Sequence, residues 1–203
     1  MKNELIKNTA INSHNLIESK KKLGLGIKED PSFQYVAQYI SKCKKIIFNA
    51  QNIKMCMDDF LHFDFETTEE TFTTLVIMHE WGHILDKDLD NILMLEDEIQ
   101  DKKDIVKFFV ATFIMELNAW KVGRKLCSSL NINSGLFDTH NSINLYQKYT
   151  QDIKSKASQW NKKEELSKFL ESTGIKTNFS AYSHQELETL RKILLRRKGK
   201  LLY

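Results

Sequence analysis

Two histidines four residues apart carry the clearest chemical pattern in this sequence. His79-Glu80-Trp81-Gly82-His83 has the form H-E-x-x-H. Residues four apart lie on the same face of a helix, so both imidazoles can reach one metal ion. Glu80 lies beside them, where a carboxylate can act as a general base on a metal-activated water. The pattern predicts a metal-dependent hydrolase with His79 and His83 as ligands; the alternative is a pair of satisfied histidines on an ordinary helix.

A third ligand is needed, because a hydrolytic zinc site usually has three protein ligands and one open position. Glu116 is predicted to be that ligand, since it lies on or beside the apolar stripe of a later helix, where a buried carboxylate requires a partner. The alternatives for Glu116 are a salt bridge to a buried lysine or arginine, or a rim position that faces solvent. His140, which is more distant in the sequence, is a second candidate for the third ligand. Four carboxylates lie nearer to the motif in the sequence, and we interpret them as a solvated acidic surface and not as ligands. They are Glu96, Asp97, Glu98 and Asp101.

The helix that positions the two histidines is predicted over residues 67–86. Thr67-x-x-Glu70 has the form of a capping box, and apolar residues follow it at helical spacing. Val76 shares a stripe with His79, so we expect the ligands to point inward. A second long helix, predicted over residues 102–126, carries Glu116.

The remaining pattern is also mainly helical. One proline and seven glycines in 203 residues supply few turns, which argues against a many-stranded sandwich or barrel. Strands are predicted over residues 45–49 and 61–65, and further helices over residues 4–22, 30–39, 141–160, 163–171 and 184–198. We therefore predict a mainly helical α+β protein with a short β-sheet. It is expected to be a single domain (1–203) with a core at about 45–126, an N-terminal helical segment (1–44) and a C-terminal helical extension (127–203).

The net charge of +3 conceals a strong asymmetry along the chain. Residues 58–104, which include the histidine motif, hold fifteen acidic and three basic side chains, a net −12. The last predicted helix is basic, and its cations could contact nucleic acid, an acidic partner or a membrane surface. Leucines at helical spacing in the same segment favour a helix docked on the domain, with its basic side in solvent. The cationic residues are Arg191, Lys192, Arg196, Arg197, Lys198 and Lys200.

No segment has the pattern of a signal peptide or a membrane span. The longest apolar stretch, residues 108–115, is too short to cross a bilayer. Three cysteines without C-x-x-C spacing indicate neither a disulfide framework nor a zinc ribbon. We therefore expect a cytoplasmic protein.

The motif residues together resemble a known class of enzymes. H-E-W-G-H followed by Glu116-x-x-Ala119-Trp120 resembles the gluzincin pattern, and Ile46-Ile47-Phe48-Asn49 before the motif helix resembles the ImmA/IrrE-like metallopeptidases of bacteria, phages and mobile elements. The similarity covers about residues 45–125. Trp81 replaces the more usual aliphatic residue, and no helix-turn-helix module is evident before the domain. The resemblance implies a zincin-like fold and a regulatory endopeptidase that acts on few protein targets.

The predicted function is a zinc-dependent endopeptidase with Zn²⁺ held by His79, His83 and Glu116 and with Glu80 as the catalytic base. A peptide substrate could pair with either predicted strand, if that strand lies at the sheet edge. The donor to the transition-state oxyanion is left open among four residues: Tyr146, Tyr182, His140 and His184. The alternatives are a non-catalytic regulatory protein, or a phage or plasmid anti-defence factor, that binds nucleic acid or protein through the basic C-terminal helix.

Overall fold

The computed structural model describes residues 2–175 and 184–201, and in these ranges the chain is mainly helical with one three-stranded sheet. The predicted α+β class is confirmed at this level. The helices are α1 Lys2–Lys21, α2 Ala50–Phe60, α3 Glu69–Ile84, α4 Leu89–Met94, α5 Glu96–Lys102, α6 Ile105–Arg124, α7 Ser134–Gln147, α8 Lys154–Gln159, α9 Lys163–Thr173 and α10 His184–Leu201. The strands are β1 Gly26–Glu29, β2 Ala37–Ile40 and β3 Lys45–Phe48.

The chain divides into two compact units. The first comprises Met1–Asp86 and Ala119–His140, and the second comprises Lys87–Asn118 and Asn141–Tyr203. One boundary falls inside α6 and another inside α7, so each of these helices runs without a break through both units. The single-domain organisation stays a prediction.

The sheet belongs to the first unit and has the strand order β1-β3-β2. Strand β1 pairs with β3 in parallel and β2 pairs with β3 antiparallel. The strand predicted at residues 45–49 is confirmed, and it is the central strand. Ile46 and Phe48 point into the core and are fully buried, as expected for a strand with neighbours on both edges.

The helix predicted over residues 30–39 is wrong, because this segment makes a turn and then forms β2. The Asp30 carboxylate accepts hydrogen bonds from the Ser32 amide (3.0 Å) and hydroxyl (2.6 Å), which favours a turn over a helix. Asn49 then donates to the carbonyls of Pro31 (3.0 Å) and Phe33 (2.9 Å). These contacts hold the turn against the end of β3.

The strand predicted over residues 61–65 is also wrong. Asn49 caps α2 by accepting hydrogen bonds from the amides of Gln51 and Asn52, and α2 then runs into a short 3₁₀ turn at Leu61–Phe63. Leu61 is 51% exposed, whereas Phe60 and Phe65 on either side of the turn are buried. The alternating apolar pattern arises here from a turn between buried phenylalanines and not from a strand.

The basic helix α10 belongs to the second unit and has a buried side and a basic exposed side. Leu190 and Leu194 are buried. Arg191 donates to Asn118 Oδ1 (2.8 Å), and Lys198 lies 3.3 Å from Asp88. The exposed cations of this helix are Lys192, Arg196 and Arg197. Within the described residues, none of the helices has the length and apolar composition to cross a membrane.

Candidate metal centre

Helix α3 places the histidine motif in its last two turns. The helix begins one residue later than predicted, since Thr68 is the N-cap and its hydroxyl accepts from the Thr71 amide at 3.1 Å. His79 is 8% exposed and Glu80 is 7% exposed, so the motif faces the interior as the apolar stripe predicts.

The two imidazoles of the motif approach each other through their Nε2 atoms. His79 Nε2 and His83 Nε2 lie 3.0 Å apart, and the ring planes are nearly perpendicular at 88°. Two nitrogens at about 2.0–2.1 Å from one tetrahedral zinc ion are roughly 3.3 Å apart. The pair is therefore close to the arrangement that a shared zinc ion requires.

The C-terminal part of α6 approaches the backbone of α3 at two glycines in the first unit. A Cβ atom on Gly82 would overlap the Ala119 carbonyl oxygen and lie 2.7 Å from the carbonyl carbon. A Cβ atom on Gly123 would lie 2.9 Å from the Met78 carbonyl oxygen. Sequence reasoning missed this role of Gly82, although a glycine inside the motif and an alanine three residues after Glu116 were both visible.

Glu116 lies three residues before Ala119 on helix α6. The ligand atoms of His79, His83 and Glu116 all lie within 4.8 Å of one another. Glu116 is 9% exposed, which contradicts the alternative of a solvent-facing position. The structure thus brings together the three residues that were predicted as ligands.

Glu80 contacts strand β2, which lies at an edge of the described sheet. Its Oε2 accepts a hydrogen bond from the backbone N–H of Tyr39 at 2.7 Å. Tyr39 is in register with Ile46 of β3, but hydrogen-bonded positions alternate along an antiparallel pair. Because the Asn49 amide donates to the Val36 carbonyl (3.0 Å), the N–H of Tyr39 points away from β3. The contact was not predicted, because residues 30–39 had been assigned to a helix.

Comparisons with protein-family models, with curated proteins and with solved structures found no match. Two imidazole nitrogens and one carboxylate oxygen form a donor set that suits zinc. Among the described residues, His79, His83 and Glu116 are the one such group of three histidine, cysteine or acidic side chains.

The strands proposed for peptide pairing need correction. Strand β3, which contains residues 46–48, is central and has both edges occupied by β1 and β2. Residues 61–65 contain no strand. The strand beside Glu80 is the edge strand β2.

His140 is a packing residue in the structure and not a donor facing solvent. It is 1% exposed, and its ring lies 5.2 Å from the Phe60 ring and 5.3 Å from the Phe72 ring. Tyr182 and the side chain of His184 lie outside the described residues. Tyr146 is partly exposed on α7. The oxyanion donor therefore stays open, with His140 an unsuitable choice because it is enclosed by aromatic rings.

Acidification is expected to destabilise the fold through His140. Burial, and secondarily the nearby His79, lower its pKa from 6.5 to about 3. Below pH 6.5 the unfolded chain therefore binds more protons than the folded chain does. The free energy of unfolding is highest above pH 6.5 and decreases as the pH falls towards 3. Lowering the pH from 7.5 to 4.5 should reduce the free energy of unfolding by about 3 kcal/mol through the protonation of His140 in the unfolded chain.

Urea unfolding at both pH values, with a chelator present to remove metal, measures this effect. The His140→Gln variant should lose less stability on acidification than the wild type does. His62→Gln serves as the matched control, because His62 is an exposed histidine. An equal pH dependence in the wild type and His140→Gln would contradict the assignment.

Proposed function

We propose that this chain is a zinc-dependent endopeptidase of the gluzincin type, similar to the ImmA/IrrE-like metallopeptidases, that cleaves a specific protein substrate in the cytoplasm. The observation that supports the proposal is the cluster of ligand atoms from His79, His83 and Glu116, all within 4.8 Å of one another. Three protein ligands leave one tetrahedral position open, which distinguishes a catalytic zinc site from a structural one.

Peptide hydrolysis requires metal ligands, a general base and a group that orients the base, and different residues of the chain have these roles. When bound, zinc supplies a Lewis acid that polarises the scissile carbonyl and activates a water molecule. His79 and His83 would hold the ion through their imidazole nitrogens, and Glu116 would hold it through a carboxylate oxygen. Glu80 accepts the proton of the attacking water and returns it to the leaving amine. The hydrogen bond from the Tyr39 N–H to Glu80 Oε2 keeps this carboxylate oriented during both transfers.

Zinc binding is the first requirement of the proposal. The wild-type protein should retain about one zinc ion per chain, and His79→Ala should lose it because two ligands hold zinc far less tightly than three. His62→Ala removes an exposed histidine of the same unit and should leave the zinc content unchanged. Elemental analysis after dialysis against a weak chelator gives the measurement. A wild type that holds no more zinc than His79→Ala would refute the proposed function.

A further inference from the structure

A lysine of the second unit lies beside the predicted third ligand. Lys148 Nζ is 3.9 Å from Glu116 Oε1 and 3.1 Å from Asp152 Oδ2. The Glu116 side chain is 11% exposed and that of Lys148 is 37% exposed. The ammonium therefore lies between a buried carboxylate and the solvent, and it contacts the carboxylate from the solvent side.

The position of Lys148 is set by a π-helical turn. Lys148 is the first residue of the π-helical turn Lys148–Ile153, which joins α7 to α8. Tyr149 in this turn is buried, and its ring lies 6.5 Å from the Phe109 ring of α6. Phe109 and Glu116 are two helical turns apart and share one face of α6. Packing of Tyr149 thus brings Lys148 towards the face of α6 that carries Glu116.

This ion pair differs from an ordinary surface pair. Exposed pairs contribute about 0–1 kcal/mol, since water screens both charges. Glu116 is buried, so its charge is screened less by water than the charges of an exposed pair are. Residues that hold a metal ligand in this way commonly change metal affinity by about 10- to 100-fold when they are removed.

We propose that Lys148 is a positioning residue for Glu116. Its ammonium, 3.9 Å from Glu116 Oε1, attracts that oxygen, so that the other oxygen would face the metal and bind it alone. The inference rests on the proposed function, because it assigns Lys148 a role at the same zinc site. Without Lys148 the carboxylate can turn away or offer both oxygens, and the site loses its prearranged geometry.

Replacement of Lys148 tests this role through metal affinity and not through activity. Competition with a chromophoric chelator should show that Lys148→Gln binds zinc about 10- to 100-fold more weakly than the wild type. Lys148→Arg keeps the cation and should retain most of the affinity. The matched control is Lys168→Gln, which breaks an exposed pair of the same unit (Lys168 Nζ to Glu164 Oε1, 2.6 Å) and should bind zinc as the wild type does.

A double-mutant cycle shows whether Lys148 acts through Glu116. In a Glu116→Ala background, the Lys148→Gln change should have no further effect on zinc affinity. The visible spectrum of the cobalt-substituted protein should differ between the wild type and Lys148→Gln, because the coordination by the carboxylate changes.

The outcomes separate the two proposals. A wild type that binds zinc and a Lys148→Gln variant of equal affinity would overturn the role of Lys148 and leave the proposed function intact. An equal loss in the Glu116→Ala background would also overturn it, since Lys148 would then act through another group. A wild type without zinc would overturn both proposals.

Discussion

The Glu80→Gln variant is expected to bind zinc like the wild type and to cleave its substrate about 10²–10⁴-fold more slowly. Glutamine has nearly the same shape as glutamate, and its amide oxygen can still accept the hydrogen bond that the Tyr39 N–H donates at 2.7 Å. The amide cannot accept a proton from water at neutral pH. The substitution therefore removes the base and leaves the ligands and the fold in place.

The same variant can be used to capture the substrate that this measurement needs. Glu80→Gln expressed in the native host should hold its target long enough for capture, and the captured protein can then be digested in vitro by the wild type. Glu70→Gln is the matched control, because Glu70 is an exposed carboxylate in the first turn of the same helix. Cleavage at the wild-type rate by Glu80→Gln would show that another residue is the base.

Gly82→Ala is expected to lower the free energy of unfolding by about 3 kcal/mol, at the upper end of the range for overpacked sites. The added methyl group would overlap the Ala119 carbonyl oxygen and lie 2.7 Å from its carbonyl carbon. Both atoms belong to a helix backbone, which cannot move aside as a flexible side chain can. Helices α3 and α6 must then separate, and zinc affinity should fall as the distance between the motif and Glu116 increases.

Urea unfolding of Gly82→Ala and Gly26→Ala separates this contact from the general effect of adding a methyl group. A Cβ atom on Gly26 would meet Lys45 Cγ at 3.2 Å, and a lysine side chain moves easily. Gly26→Ala should therefore change stability by less than about 1 kcal/mol. Equal stability of Gly82→Ala and the wild type would contradict the close contact of α3 with α6.

Several elements of the fold follow from local sequence alone. The two long helices were predicted from three- and four-residue spacing and are present as α3 and α6. The central strand β3 was predicted from its β-branched residues. The segments at 30–39 and 61–65 were assigned wrongly, because their local patterns suit more than one structure. Asn49 donates hydrogen bonds to the Pro31 and Phe33 carbonyls, which hold the turn before β2. It also accepts one from the Gln51 amide, which begins α2 after β3.

The sequence by itself determined which residues could bind a metal, because a four-residue spacing on a helix places His79 and His83 on one face whatever the rest of the chain does. Only the tertiary structure decided what surrounds them. The contacts of Tyr39 with Glu80 and of Lys148 with Glu116 join residues more than thirty positions apart in the sequence. Such contacts depend on strand order and helix packing, which local residue patterns do not encode. Helical periodicity therefore predicts the ligands, while the residues that orient them emerge only from the folded chain.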